Sequence, residues 1–464
     1  MSYSPALTYF LDRLSGFSTN VFRLEAQNQD SASANKILRF TLPSNALLNL
    51  RSFALHFSAS TAGATAGGRL PPKIDTLIDR VEVSCGGVQL SAGANFYNVL
   101  RHAKDAIEGD KTNPVLGHPE MVRAKSYVDN AAIATTGNEV YTSTNKETQF
   151  CIDHWEGFLG SCEPKIMDSS LVPDIVVSLY LADNNVLSSV AGVTLSGTGV
   201  TDIVDDGTAT ATYTMANIHA TIECIGLGGS TYNNMVAGMI ASAGFLEIPF
   251  KQYFSFQDST ANTMRFSVAT QSLDRIWVCH RADGFGTQGG AVVVAGHKVS
   301  GQFTSATSGG GVTQDVGIST YDIGGVLDYN SEKYLTKFIN FAEPPSATKA
   351  LYQFQLNGSY FPQFRATFEE MSQISRNSVN YSGKKCEYSL DTAKTNYSVQ
   401  CIRLNMPESE YGRLVSGLDT RSVSLNGYYN MDNVSASRTL NLFAECTVSC
   451  ISAQEECWRS CSKK

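Results

Sequence analysis

The chain has 464 residues, of which only 17% are charged, and a formal net charge of −8. That length exceeds what one hydrophobic core organises, so two domains of roughly 220 residues each are expected. The acidic balance, with no basic tract beyond Lys463-Lys464, excludes a chain that neutralises nucleic acid phosphates by itself.

The longest apolar run, Met235 to Leu246, is broken by Gly and Ser and is too short to cross a bilayer. No basic n-region followed by an apolar core opens the chain, so a soluble protein without a secretory leader is expected. The eleven Cys are odd in number and irregular in spacing, which does not read as a disulfide framework and favours a reducing compartment of synthesis.

In chain order, Ser4-Pro5 predicts a short helix with Leu7, Phe10, Leu11 and Leu14 on one face. That arm, residues 1–17, either anchors to a neighbour, a minor protein or a lipid layer, or folds onto its own domain. From Val21 to Phe57 the pattern is strand-like. Leu48 and Leu50 share one parity while Phe53, Leu55 and Phe57 take the other, and such a slip predicts a bulge or a corner where a strand changes sheet. Val81 to Leu90 alternates about Gly86-Gly87, a hairpin signal, and a helix-like stretch with Tyr97 and Leu100 follows. A long polar segment runs from about 108 to 148, strands resume near Phe150 and at Ile175 to Leu181, and residues 188–207 read as an excursion between strands. Tyr213 to Ile225 closes the first domain, residues 18–228.

A partly helical connection is expected over 229–244. The second domain, residues 245–453, opens on alternating Leu246, Ile248 and Phe250 and carries a long insertion from about Ala282 to Ile339 with a Ser308-Gly309-Gly310-Gly311 tip. A second hairpin, Tyr352 to Phe361 about Asn357-Gly358, leads into another helix-like stretch, and residues 454–464 form a tail. Many short strands, no βα rhythm and one helix per half predict an all-β protein: two tandem eight-stranded antiparallel jelly rolls with a few short helices and long insertion loops.

The two halves also match each other. Leu38-Arg39-Phe40-Thr41-Leu42, Leu47 and Leu50 fall on Met264-Arg265-Phe266-Ser267-Val268, Leu273 and Ile276 at an offset of 226, and the same offset places Thr221, Ile222 and Cys224 on Thr447, Val448 and Cys450, and Phe22 and Leu24 on Ile248 and Phe250. The hairpins match at 271, Gly87 on Gly358, with Tyr97 on Phe368 and Leu100 on Met371. Two distant matches at one offset indicate a duplicated unit.

Catalytic and ligand-binding patterns are sparse. Gly284-Phe285-Gly286-Thr287-Gln288-Gly289 spells a dinucleotide fingerprint, yet Gly290 and an Ala-Val-Val-Val run follow in place of a helix, so it reads as a loop coincidence. No P-loop or GxSxG elbow occurs, and His56, His102, His118, His154, His219, His280 and His297 form no HxH or HExxH pair. Asp153 and Glu156 beside His154 and Trp155 could form an acid pair, but a solvated strand edge fits better. Cys446, Cys450, Cys457 and Cys461 could bind metal or form disulfides; buried thiols closing a sheet are favoured, because Cys224 matches Cys450 in the first half. The sequons at Asn357, Asn380, Asn396 and Asn433 read as accidental in a Ser-rich chain. No catalytic, cofactor-binding or metal residue is assigned, and no cofactor is expected.

Residues Ile37 to Phe57 and Ile74 to Ile107, with the Val-Glu-Val-Ser-Cys-Gly-Gly-Val-Gln-Leu hairpin, resemble the double jelly-roll major capsid proteins of double-stranded DNA viruses: large eukaryotic DNA viruses, virophages, polinton-like viruses, adenoviruses and tailless membrane-containing phages. The resemblance implies a non-enzymatic virion protein, made in the host cytoplasm or nucleus, whose homotrimers form pseudo-hexameric capsomers tiling an icosahedral shell. It implies contacts with neighbouring capsomers, penton and minor capsid proteins and, at the base near the N-terminal helix, an internal membrane. Loops near 108–148, 188–207 and 282–339 would make tower and trimer contacts, with no direct nucleic acid and no small-molecule substrate. The alternatives are a secreted two-jelly-roll glycan-acting hydrolase, which needs paired carboxylates between the rolls, or a carbohydrate-binding adhesin, which needs exposed aromatics on one face; Tyr9, Tyr428 and Tyr429 are too scattered to show one.

Overall fold

The computed structural model describes, apart from short gaps, residues 17–108, 148–227, 246–282, 337–379, 397–406, 417–421 and 426–452, with shorter stretches between 284 and 335 and at 394 and 459–460. The first set of strands is β1 (Phe17–Glu25), β2 (Ile37–Thr41), β3 (Leu47–Ala62), β4 (Ile78–Cys85), β5 (Val88–Ser91), β6 (Thr148–Ile152), β7 (Ile175–Leu181) and β8 (Thr212–Leu227). The second is β9 (Leu246–Thr260), β10 (Thr263–Phe266), β11 (Leu273–His280), β12 (Ser346–Leu356), β13 (Ser359–Ala366), β14 (Val399–Arg403), β15 (Gly427–Val434) and β16 (Arg438–Ser452). Helix α1 (Tyr97–Glu108) follows β5, and α2 (Phe368–Ser378) follows β13.

The first set forms two facing sheets in the orders β1-β8-β3-β6 and β2-β7-β4-β5. The second forms β9-β16-β11-β14 and β10-β15-β12-β13, the same orders with eight added to every label. Every pairing among these strands is antiparallel. The chain is thus two tandem eight-stranded jelly rolls, and the repeat detected in the letters is a repeat of topology.

Period-two patterning decides which side chains meet. Leu38 and Phe40, Phe53 and Leu55, Val177 and Leu179, and Ala220 and Ile222 are buried between the sheets of the first roll, each large one contributing about 1.5–3 kcal/mol. Met264, Ile276, Val278, Tyr352, Phe354 and Leu442 do the same in the second. The parity slip in β3 is a bulge within one sheet, not a change of sheet: Glu223 pairs with Asn49 but Thr221 pairs with Ala54. Ser52 bridges the interrupted ladder, its hydroxyl donating to the Asn49 carbonyl at 2.7 Å and accepting from the Glu223 N–H at 2.8 Å.

Both hairpins turn on two residues of positive φ, 54° and 80° at Gly86 and Gly87 and 48° and 87° at Asn357 and Gly358, the conformation a type I′ turn requires. Helix α2 starts on a capping box the sequence reading overlooked: the Glu370 N–H donates to Thr367 Oγ1 at 3.4 Å, and the Thr367 N–H donates back to Glu370 Oε2 at 2.8 Å. The 188–207 excursion is a hairpin, Ser188–Ser196 with Gly199–Asp205, whose base pairs with Gly68–Arg69. Strand pairs Val292–Val293 with Tyr334–Leu335 and Val299–Ser305 with Gln314–Tyr321 lie in the second insertion. The N-terminal arm, the 109–147 segment, the 228–245 connection and the Ser308–Gly311 tip lie outside the described residues.

Pairing also corrects the repeat. Aligning β8 with β16 at 226, Phe22 pairs with Ile222 while Val448 pairs with Phe250, so the first strands correspond at 228. Leu273 pairs with Cys446, the counterpart of Ala220, whose partner is Leu55 rather than Leu47. The displacement at the first strands is even, and an even displacement keeps every side chain on its face; in β11 the bulge after Leu273 moves the match by one more residue, so that Arg275, paired with Glu445, is the counterpart of His56, paired with His219.

Candidate functional site at the junction of the rolls

All residues of β11 are buried, although Leu-Asp-Arg-Ile-Trp-Val-Cys-His shows no alternation. Ile276 and Val278 face the interior of their own roll, whereas Trp277 and Cys279 belong to the cluster that continues into the first roll. A strand covered on both sides carries apolar residues at both parities. Helix α1 of the first roll packs against β14 and α2, and the short helix Phe158–Ser161 packs against β9, where the Phe158 and Phe250 rings meet edge to face at 5.1 Å.

A buried polar network spans this contact. Glu156 accepts from Lys104 Nζ at 2.6 Å, Arg101 Nη1 at 3.2 Å and the Tyr253 hydroxyl at 3.1 Å, and its N–H donates to the Tyr97 hydroxyl at 2.8 Å. Lys104 also reaches the Tyr253 oxygen at 3.1 Å, and Arg101 reaches Asp75 at 3.4 Å. Burial by itself would lower the Lys104 pKa, but Glu156 and Tyr253 outweigh it and hold the ammonium charged. Burial would likewise raise Asp105, which Lys73 and Arg101 keep well below the usual carboxylate range. Two backbone amides complete the seam, Asn95 N–H to Ser255 Oγ at 3.1 Å and Lys251 N–H to Ser161 Oγ at 2.7 Å. On the second roll's side, Glu445 accepts from Arg275 at 2.9 Å and from the Trp277 indole at 3.0 Å.

Such a network fixes how two bodies sit. Glu156 is therefore neither a solvated strand edge nor half of an acid pair: Asp153 lies on the outside with His154, 2.6 Å away, while Glu156 faces the cations of α1. The signal that could have found it is the Arg101/Lys104 pair on α1, two cations at helical spacing inside an apolar stretch.

Other candidates have structural settings. Phe285, in the glycine-rich fingerprint, lies 4.3 Å over the buried Arg281 guanidinium, with Phe338 at 4.5 Å from the same group. Gln288 is tied to the first roll through the Ala211 N–H at 2.9 Å and carbonyl at 2.6 Å. His280 is held by Ser398 Oγ at 2.8 Å and the Tyr429 hydroxyl at 2.9 Å, and burial pulls its pKa down to about 3. His102 contacts Thr76 Oγ1 at 2.7 Å, and burial takes its pKa down to about 4. Cys85, Cys162, Cys224, Cys279, Cys401 and Cys446 are buried thiols, and burial pushes Cys85 up to about 12. Cys457 and Cys461 lie outside the described residues. Among the described residues no group of three or more His, Cys, Asp or Glu side chains could hold a metal ion, and no helix is long and apolar enough to cross a membrane. Sequence reading did miss one pairing: His56 and His219, far apart in the chain, are cross-strand partners with rings stacked at 5.1 Å.

No family model and no curated protein matches the chain. Solved structures do. The chain is similar to the PBCV-1 virus capsid in its quasi-atomic model, with a TM-score of 0.52 and 11% identity over 100% of this chain and 99% of that one. It is similar to VP54 of PBCV-1, as fitted into a reconstruction of the virophage Sputnik, with a TM-score of 0.54 and 12% identity over 100% and 99%. The Faustovirus major capsid protein gives 0.52 and 9% over 93% and 90%. Identities this low speak to fold, and coverage of both rolls in every case speaks to the whole of it: the chain has the double jelly-roll fold of these viral capsid proteins.

Proposed function

We propose that the chain is the major capsid protein of a double-stranded DNA virus, a structural subunit without catalytic activity. The observation that carries this is the repeated sheet order locked by a buried junction. Two near-equivalent rolls rigidly joined give one subunit two similar edges, and three such subunits present six, so a single gene product can tile a hexagonal lattice. On this reading the chain forms homotrimeric, pseudo-hexameric capsomers and resides in the virion, where neighbouring capsomers, penton and minor capsid proteins and an underlying membrane are its partners. The 282–339 insertion and the 188–207 hairpin supply raised loops. The net charge of −8 leaves genome contact to other components.

Light scattering coupled to size exclusion tests this, with electron microscopy of the same fractions. A particle of three chain masses with a six-cornered outline is expected. A monomer that turns over glycans would replace the proposal with the hydrolase reading, and one that binds glycans without turnover would replace it with the adhesin reading.

A further inference from the structure

The junction inside the chain has a counterpart that no strand or helix among the described residues packs against in the same way. In the second roll, Tyr253, Glu445, Arg275 and Arg403 form one cross-strand row over β9, β16, β11 and β14. The first three are 6%, 1% and 6% exposed, with Tyr253 bonded to Lys104 and Glu156 of the first roll. In the first roll, the strands eight places earlier carry Glu25, His219, His56 and Cys151 in one row over β1, β8, β3 and β6. Glu445 and His219 are also related by the 226-residue offset of the closing strands. Their inward neighbours Ala220, Leu55 and Ile152 are core residues, so this row points outward. Glu25 is exposed, and His219, His56 and Cys151 are half-buried. On the same face, beyond a row of Arg23, Thr221 and Ala54, the row Val21, Glu223, Asn49 and Ile166 leaves Val21 64% and Ile166 44% exposed.

The opposite side of the junction has a counterpart too. Residues 91–97 set Ser91, Ala94 and Tyr97 beside Tyr253, with Asn95 bonded to Ser255. At the hairpin offset of 271 they correspond to residues 362–368 of the second roll, where Phe364 is 53% exposed, and Tyr360 on the same edge strand is 41% exposed. Among the described residues, four of the seven exposed large hydrophobic side chains, Val21, Ile166, Tyr360 and Phe364, lie on these two regions. Separate apolar patches of this kind mark contact surfaces.

We propose that these two surfaces bind each other between copies of this chain: the Phe364 edge of the second roll seats on the Val21/His219/His56 face of the first roll of the next copy, repeating between subunits the junction made within each. The inference rests on the self-assembly proposed above and assigns its contact surface. Different patches meet, so the contact is head-to-tail, and in the trimer proposed above it closes into a ring after three copies.

The test is sedimentation of the full chain and of Val21→Asp, Phe364→Asp and a control, Met406→Asp, at an exposed apolar position outside both surfaces. Wild type and control are expected to be trimers, and V21D and F364D monomers with unchanged circular dichroism and melting. Mixed in equal amounts, V21D and F364D should form dimers that neither forms alone, because each retains the face the other lacks. Ile166→Lys, on the Val21 row, replaces V21D should that variant not fold. A trimeric wild type whose two face variants stay trimeric, or whose mixed monomers do not pair, overturns the assigned surface and leaves the capsomer reading standing. A wild type that is monomeric at tens of micromolar overturns both.

Discussion

Replacing Glu156 by Gln removes one charge from the seam between the rolls while preserving its shape. Lys104 Nζ lies 2.6 Å from the carboxylate, and the two side chains are 9% and 13% exposed. At an effective dielectric of about 20, Coulomb attraction at this separation is about 6 kcal/mol. Desolvation of both ions offsets much of it, so the pair contributes little net stability against an apolar replacement, while removing one member strands the other and costs about 3–5 kcal/mol. E156Q strands Lys104 and weakens the hold on Arg101, which keeps Asp75 at 3.4 Å. Urea unfolding of wild type, E156Q, Lys104→Met and the double variant completes a cycle, since ΔG falls linearly with denaturant. Each single change should lose about 3 kcal/mol or more, and the double variant should recover at least 1.5 kcal/mol of the summed losses, the coupling expected of contacting residues in one network. Single losses below about 1 kcal/mol that simply add would refute the reasoning, because they describe a solvated pair.

Trp277→Ala empties the largest apolar side chain from the junction face of β11 and should cost about 3–5 kcal/mol in the same assay. Acid should destabilise the fold through His280 and His102. Their folded pKa values of about 3 and about 4 lie below the usual 6.5, so above pH 6.5 their contribution is fully present, and it is lost as pH falls toward 4 because the unfolded chain takes up the protons first. The slope is at most about 1.4 kcal/mol per pH unit for each histidine, and His280→Gln should flatten it; an unchanged stability profile would show that His280 titrates normally when folded. Burial raises the thiols of Cys279, Cys401 and Cys446, so peptide mapping after brief maleimide treatment of the native protein should find them unmodified and half-buried Cys151 labelled ahead of them. Early labelling of Cys401 would mean that the rolls separate in solution.

Much of this architecture is local, and local features are legible in a sequence. A turn that needs two positive φ values selects Gly-Gly or Asn-Gly, and a strand with one wet face alternates, so both hairpins, β2, β7 and the two-fold repeat could be read directly. Where pairing spans most of a domain, letters mislead. With the closing strands aligned at the 226-residue offset, the first strands slip by two, since sheets tolerate even displacements that keep each face intact. The bulge in β3 was visible as a change of parity, but that it stays in one sheet depends on Ser52 capping the ladder against Glu223, a residue of the far strand β8.

The site was the least legible part. Arg101, Lys104 and Glu156 were ordinary charges until the second roll brought Tyr253 over them, and β11 lost its alternation because another domain covers its outer face. His56 and His219 became neighbours only through register. The sequence by itself determined what depends on adjacent residues: turns, strand faces, the copied unit and the absence of contiguous catalytic motifs. Tertiary structure alone decided what depends on burial, because a charge, a thiol or an aromatic ring takes its role from the dielectric and the partners that distant segments supply.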